Sequence, residues 1–141
     1  MPLKMIPKTC QMGKEDRQLE EMLQTVSGLA KGETVLFPEY GAYTVEGSRK
    51  AFAELSKIAV SKGVTIITSL NLSCEDLPRA DPDAHYNALF IFSRKGQIHS
   101  PQAKITPQSF EMRHLDDSFP KMEVTPYSWL NRVTLNQNGE T

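Results

Sequence analysis

Glu39 stands directly after a short apolar run, Thr34-Val-Leu-Phe37, and Pro38. Much further along, Lys104-Ile-Thr-Pro-Gln-Ser-Phe-Glu111 brings an ammonium and a second carboxylate into one short segment. A carboxylate can act as a general base, and a held cation can stabilise an oxyanion. With Phe37 and Tyr40 as neighbours, Glu39 is expected to be partly desolvated, which suits it to proton transfer. A lysine after a hairpin with a carboxylate one loop later can form an ion pair near it. Each segment alone fits a plainer reading as well. A carboxylate often begins a solvated loop, and lysines routinely end hairpins.

The elements that must position these groups are legible from periodicity. Leu3 to Cys10 reads as a first strand, and Pro2 and Pro7 favour an edge position for it. Asp16 is a candidate helix N-cap. After it Leu19, Met22, Leu23, Val26 and Leu29 recur at helical spacing. Lys31-Gly32 suits a helix end, glycine for the left-handed cap and the cation for the dipole. Thr34 to Phe37 is then a short buried strand. The unit repeats: Ser48 to Lys62 has Phe52, Leu55 and Ala59 on one face, Lys62-Gly63 closes it, and Val64-Thr-Ile-Ile67 is the next strand.

This doubled helix–strand unit predicts an α/β fold, a mainly parallel sheet flanked by the helices Asp16–Ala30 and Ser48–Lys62. Asn71 to Ala84 is a polar loop. Tyr86–Phe92, a turn at Gly96, and Gln97–Ala103 predict a hairpin. Open parallel sheets place their sites at the carboxyl ends of the strands, which is where Glu39 falls.

Taken together, Phe37-Pro38-Glu39 after the second strand, Tyr86-Asn87-Ala88 opening a later strand, the Gly96 turn, and Lys104 with Glu111 resemble the nitrilase (carbon–nitrogen hydrolase) superfamily in order and approximate spacing. The resemblance runs from about Leu19 to Glu111, the amino-terminal portion of such an enzyme. It implies about half of an α-β-β-α sandwich. It also implies that Glu39 is the general base, that Lys104 stabilises the tetrahedral intermediate, and that Glu111 is a supporting glutamate. Family members hydrolyse nitriles, amides or carbamoyl groups, or transfer acyl groups, through a thioester on a cysteine. A small amide or nitrile is the substrate implied, with no cofactor. A thiol needs a base to become the thiolate nucleophile, and the oxyanion that follows needs a cation or N–H donors.

The family's cysteine lies beyond the lysine, in a hydrophobic-Cys-hydrophobic-Asp type segment, and no such segment follows Lys104. Cys10 falls in the first strand and reads as a small core residue. Cys74 precedes Glu75 and Asp76, whose charges disfavour a thiolate, so it is a poor substitute nucleophile. The expectation is a truncated hydrolase, inactive as a single chain. The alternative is a non-enzymatic α/β module that self-associates or binds a partner. A receiver-like domain ranks last, because Cys10-Gln-Met-Gly13 offers no acidic cluster after the first strand.

The remaining features exclude other classes. The 141 residues read as one domain, with 106–141 an irregular tail of it. The net charge of -1 and scattered basic residues give no nucleic-acid stripe. No apolar run suits a membrane helix or signal peptide, and two cysteines form no disulfide framework, so a cytoplasmic protein is expected. His85, His99 and His114 lack metal-ligand spacing, and Tyr127 and Trp129 read as packing residues. Half of a sandwich would leave one sheet face open. Four apolar side chains left in water would forfeit roughly 6–12 kcal/mol. That predicts a homo-oligomer packed face to face or a missing carboxy-terminal half, the rival being that the Thr106–Asn136 segment folds back over the face within one chain.

Overall fold

The computed structural model describes residues 3–6, 14–112 and 122–132. Five strands there form one sheet in chain order: β1 (Leu3–Met5), β2 (Thr34–Leu36), β3 (Thr65–Asn71), β4 (Asn87–Phe92) and β5 (Ile98–His99). Helix α1 (Glu15–Ser27) lies between β1 and β2, α2 (Val45–Lys62) between β2 and β3, and the short α3 (Ser109–Met112) after β5. The pairs β1–β2 and β2–β3 are parallel, whereas β3–β4 and β4–β5 are antiparallel. The sheet is therefore mixed and only half parallel. Parallel pairing needs a long crossover, and helices provide one twice; after β3 the loop returns the chain antiparallel.

The helices depart from their expected limits for identifiable reasons. Asp16 is not the cap of α1. Lys14 occupies that position and makes no side-chain cap bond. Helix α1 also stops at Ser27 rather than Ala30, because Leu29 turns inward, its N–H bonding the Val26 carbonyl at 3.0 Å. Lys31-Gly32 instead makes a separate turn, Gly32 donating its N–H to the Gly63 carbonyl at 2.8 Å. Helix α2 begins at Val45, before Ser48, because the Thr44 hydroxyl accepts from the Gly47 N–H at 3.0 Å. Its end is as expected: Gly63 takes the left-handed conformation, φ 66°.

Side chains alternate across each strand. Val35, Ile66, Leu70, Ala88, Phe90 and Phe92 share a core cluster with Leu19, Met22 and Val26 of α1 and with Ala51, Leu55 and Ala59 of α2. Phe52 packs edge-on against Phe90 and Phe92, at 5.7 and 5.5 Å between ring centres. Strand β3 runs on to Asn71, past the expected Ile67, because it pairs with β4 from Ile66 to Asn71. The polar Thr68, Ser69 and Asn71 hide this extension in the sequence.

The other sheet face is covered within the single chain rather than left open. Thr34, Thr65, Ile67 and Ile91 are each less than one-tenth exposed within the single chain. Among apolar residues of the strands, the exposed ones are Leu3 and Met5 on the edge strand β1. Cys10 and His114 lie outside the described residues, as do 113–121 and 133–141 of the expected tail.

Leu55→Ala is expected to lower unfolding stability by about 2–5 kcal/mol, because Leu55 is fully buried under the sheet. Val60→Ala, half-exposed on the same helix, should stay within about 0.5 kcal/mol. Urea titration of both variants checks that α2 presents the stated face.

Candidate active site

Beyond β2 the backbone is held against β3. The Phe37 N–H donates to the Ile67 carbonyl and the Gly41 N–H to the Ser69 carbonyl, each at 2.9 Å. Between them Tyr40 adopts φ 63°, a left-handed conformation costly for an aromatic residue. Two side chains fix it there. Ser69 Oγ accepts the Tyr40 N–H at 2.6 Å, and Gln18 Nε2 donates to the Tyr40 carbonyl at 2.6 Å. Gly41 follows in a space that admits no side chain, since a Cβ would come within 2.4 Å of Thr68 Oγ1. The reversed backbone presents the Glu39 and Tyr40 side chains to one cluster.

Lys104 reaches the same cluster from beyond β5. Its N–H donates to the Asn87 carbonyl at 2.9 Å, next to the antiparallel bridge between Ala88 and Ala103. Its ammonium donates to Glu39 Oε1 at 3.1 Å and to Glu111 Oε1 and Oε2 at 3.2 and 3.0 Å. Glu111, on α3, is fully buried. It also accepts from the Tyr40 hydroxyl and from the Gln108 N–H. Asn87, the first residue of β4, donates from Nδ2 to Glu39 Oε1 at 2.6 Å and to Glu111 Oε1 at 3.5 Å.

Burial by itself raises the Glu111 pKa. The Tyr40 hydroxyl, the Gln108 N–H and the Lys104 ammonium together outweigh burial and hold it below the usual carboxylate value. Burial likewise pulls Lys104 down, but the carboxylates of Glu111 and Glu39 prevail and keep it above the ordinary lysine value. Tyr40 is pushed well up, first by burial and then by the negative charge of Glu111, so it stays a neutral donor. The cluster is thus a locked ion pair, Glu111 with Lys104, beside a more open carboxylate. The Glu39 side chain is 54 % exposed, which corrects the expectation of desolvation by its neighbours. Phe37 and Tyr40 are themselves buried, yet the Glu39 side chain stays at the surface.

The structure therefore brings together Glu39, Lys104 and Glu111, which the sequence singled out, at the carboxyl ends of the parallel strands. It adds Tyr40, Asn87, Ser69 and Gln18. Asn87 carried a signal, as the polar first residue of an otherwise apolar strand. Tyr40, Ser69 and Gln18 carried none. Cys74 lies elsewhere, in a recess lined by Phe52, Ser73, Glu75, Asp76 and Ile98, none of which bonds to the cluster. Burial, and then the charges of Asp76 and Glu75, push its thiol pKa up. His99 pairs with Asp76 at 3.4 Å, and His85 serves through its carbonyl, which accepts the Thr125 N–H at 2.7 Å. Tyr127 is buried as expected, but Trp129 is 43 % exposed and carries the Arg79 guanidinium 4.1 Å above its ring. Among the described residues no helix is long and apolar enough to cross a membrane.

The five-stranded mixed sheet with helices α1 and α2 packed on one face is similar in fold to about half the chain of solved nitrilase-superfamily (carbon–nitrogen hydrolase) structures. The solved structures that show it include an amidase from Nesterenkonia sp., matched over 97% of this chain and 51% of the amidase at 13% identity and a TM-score of 0.60. A cysteine-to-alanine variant of the Nesterenkonia sp. AN1 amidase in complex with butyramide matches over 98% and 52%, at 12% identity and 0.61. A CN-hydrolase superfamily protein from Xanthomonas campestris, with an arsenic adduct in its active site, matches over 85% and 45%, at 16% identity and 0.53. The chain thus spans about half the length of these structures. No family model and no curated protein matches it in sequence.

The two carboxylates should contribute unequally to stability. Glu111→Leu removes one partner of a buried pair and strands Lys104 and the Tyr40 hydroxyl, at a cost of about 3–5 kcal/mol. Glu39→Leu, at an exposed pair, should cost less than about 1 kcal/mol. Because the Glu111 pKa is lower folded than unfolded, its contribution is complete above the ordinary carboxylate range. It is lost as pH falls through the folded value. Urea midpoints from neutral pH down into the acid range should therefore fall less steeply for Glu111→Gln than for the parent chain.

Proposed function

We propose that this chain carries the base and the oxyanion-stabilising cation of a carbon–nitrogen hydrolase acting on non-peptide C–N bonds of small amides or nitriles. The observation that carries the reading is the meeting of Glu39, Lys104 and Glu111. Residues 65 positions apart share a contact of 3.1 Å, and the lysine is held at 3.0 Å by the buried second glutamate. In this reading Glu39, the exposed carboxylate, takes the proton of a thiol. Lys104 stabilises the oxygen of the tetrahedral intermediate, and Glu111 holds Lys104 protonated and in place. Holding the lysine through a buried carboxylate costs little reorganisation when charge develops, which is the condition for electrostatic catalysis.

The chemistry also requires a thiolate facing both groups. Cys74 is in a different recess with its thiol pKa raised, so it does not meet that requirement. The 141-residue chain taken alone is accordingly proposed to be inert toward amides and nitriles.

Turnover of butyramide and simple nitriles tests this, first with the 141-residue chain and then with the polypeptide read from the same coding DNA past Thr141. The short chain should show none. A longer product with a strand-borne cysteine should turn over, and should lose about 10³-fold or more in kcat on Glu39→Gln or Lys104→Ala. Turnover that survives both substitutions would sink the assignment. Turnover by the short chain that vanishes in Cys74→Ala would transfer the nucleophile's role to Cys74.

A further inference from the structure

The geometry points to Asn87 as the positioning residue of Glu39: it anchors Oε1 and leaves Oε2 as the oxygen that takes the proton. The inference rests on Glu39 being the base, as proposed above. Asn87 lies at the carboxyl end of the sheet, cross-strand from Asn71, and is almost fully buried. Its side-chain amide faces two carboxylates, which only accept hydrogen bonds, so the NH2 end must point at them. The bond to Glu39 Oε1, at 2.6 Å, is shorter than the bond from Lys104 to the same atom, at 3.1 Å. Both therefore converge on one oxygen. Among the described residues nothing bonds to Oε2.

The division of labour follows from burial. Lys104 is shared among three carboxylate oxygens, two of them on Glu111. It cannot alone fix the orientation of a carboxylate whose side chain is half-exposed. Asn87 is rigid by comparison. Its backbone carbonyl is tied to the Lys104 N–H at 2.9 Å, and its side chain is packed. An amide is also the right group between two anions: it donates to both and, being neutral, adds no charge that would compete with Lys104. In the proton-transfer step the S–H bond breaks and an O–H bond forms on Oε2. The electron pair stays on sulfur. Glu39 becomes neutral while its Oε1 keeps both donors, so the carboxyl group need not turn to take the proton.

The test reads Glu39 directly, by NMR of the 141-residue chain labelled at glutamate and asparagine, and needs no turnover. In the parent chain the two γ protons of Glu39 should have distinct shifts. In Asn87→Leu they should merge as the carboxylate is released, while the Lys104 contacts to Glu111 persist. Distinct γ signals retained in a folded Asn87→Leu chain would overturn the inference, leaving Lys104 as the sole anchor. Should that variant fail to fold, the Asn87 side-chain amide of the parent gives the answer. Its proton should move upfield and exchange faster in Glu39→Ala, and an unmoved signal would refute the contact. In a longer, active polypeptide Asn87→Leu should lower kcat by about 10²-fold with KM little changed. A raised KM with kcat intact would overturn the positioning role. If the longer polypeptide is inactive while the Glu39 signals behave as described, the hydrolase reading fails and the anchoring of Oε1 stands.

Discussion

Glu111 has no access to solvent, and a carboxylate can remain charged in such a place only if the surrounding groups replace its water. Lys104, the Tyr40 hydroxyl and the Gln108 N–H do so, with a longer contact from Asn87. Each donor comes from a different stretch of chain: the loop after β2, the start of β4, the segment after β5, and the turn into α3. Satisfying one buried anion therefore fixes the relative positions of four segments. Val124 extends the tie to a fifth, its N–H donating to the Glu111 carbonyl at 2.7 Å.

The strained backbone at Tyr40 belongs to the same arrangement. A residue continuing the strand would carry the phenol away from Glu111. The left-handed turn brings it back, and Ser69 and Gln18 supply the bonds that keep it there. Gly41 is needed because Thr68 occupies the space a side chain would take. The Glu15 carboxylate then accepts the Tyr43 and Thr44 N–H groups, each at 2.8 Å, and so joins the first turn of α1 to the start of α2. From β2 to α2 the loop is held at the N–H groups of Phe37, Tyr40, Gly41, Tyr43 and Thr44. Such bonds hold the backbone that carries the Glu39 side chain in one place.

A half sandwich with a bare inner face would need a second body to survive in water. Here Thr65, Ile67 and Ile91 are already buried in one chain, although the chain spans about half the length of the structures it resembles. Among the described residues the large exposed apolar side chains are Leu3 and Met5 on the β1 edge, Val60, Ile105, Met112, Trp129 and Leu130. These residues are scattered over separate segments rather than gathered on the sheet face.

By itself the sequence determined the helix–strand units and the left-handed glycine that closes α2, because periodicity and caps are local. Phe37-Pro38-Glu39 and the Lys104–Glu111 segment were legible for the same reason, each lying where a strand or hairpin ends. Tertiary structure alone decided which carboxylate is buried. Glu39, flanked by aromatic residues in sequence, is exposed, and Glu111, in a polar segment, is sealed. It also decided that the sheet is half antiparallel, and that Trp129 leaves the core for the Arg79 guanidinium. The physical reason is common to all of these. A side chain's burial depends on segments tens of residues away, as Tyr40 and Glu111 are, 71 positions apart.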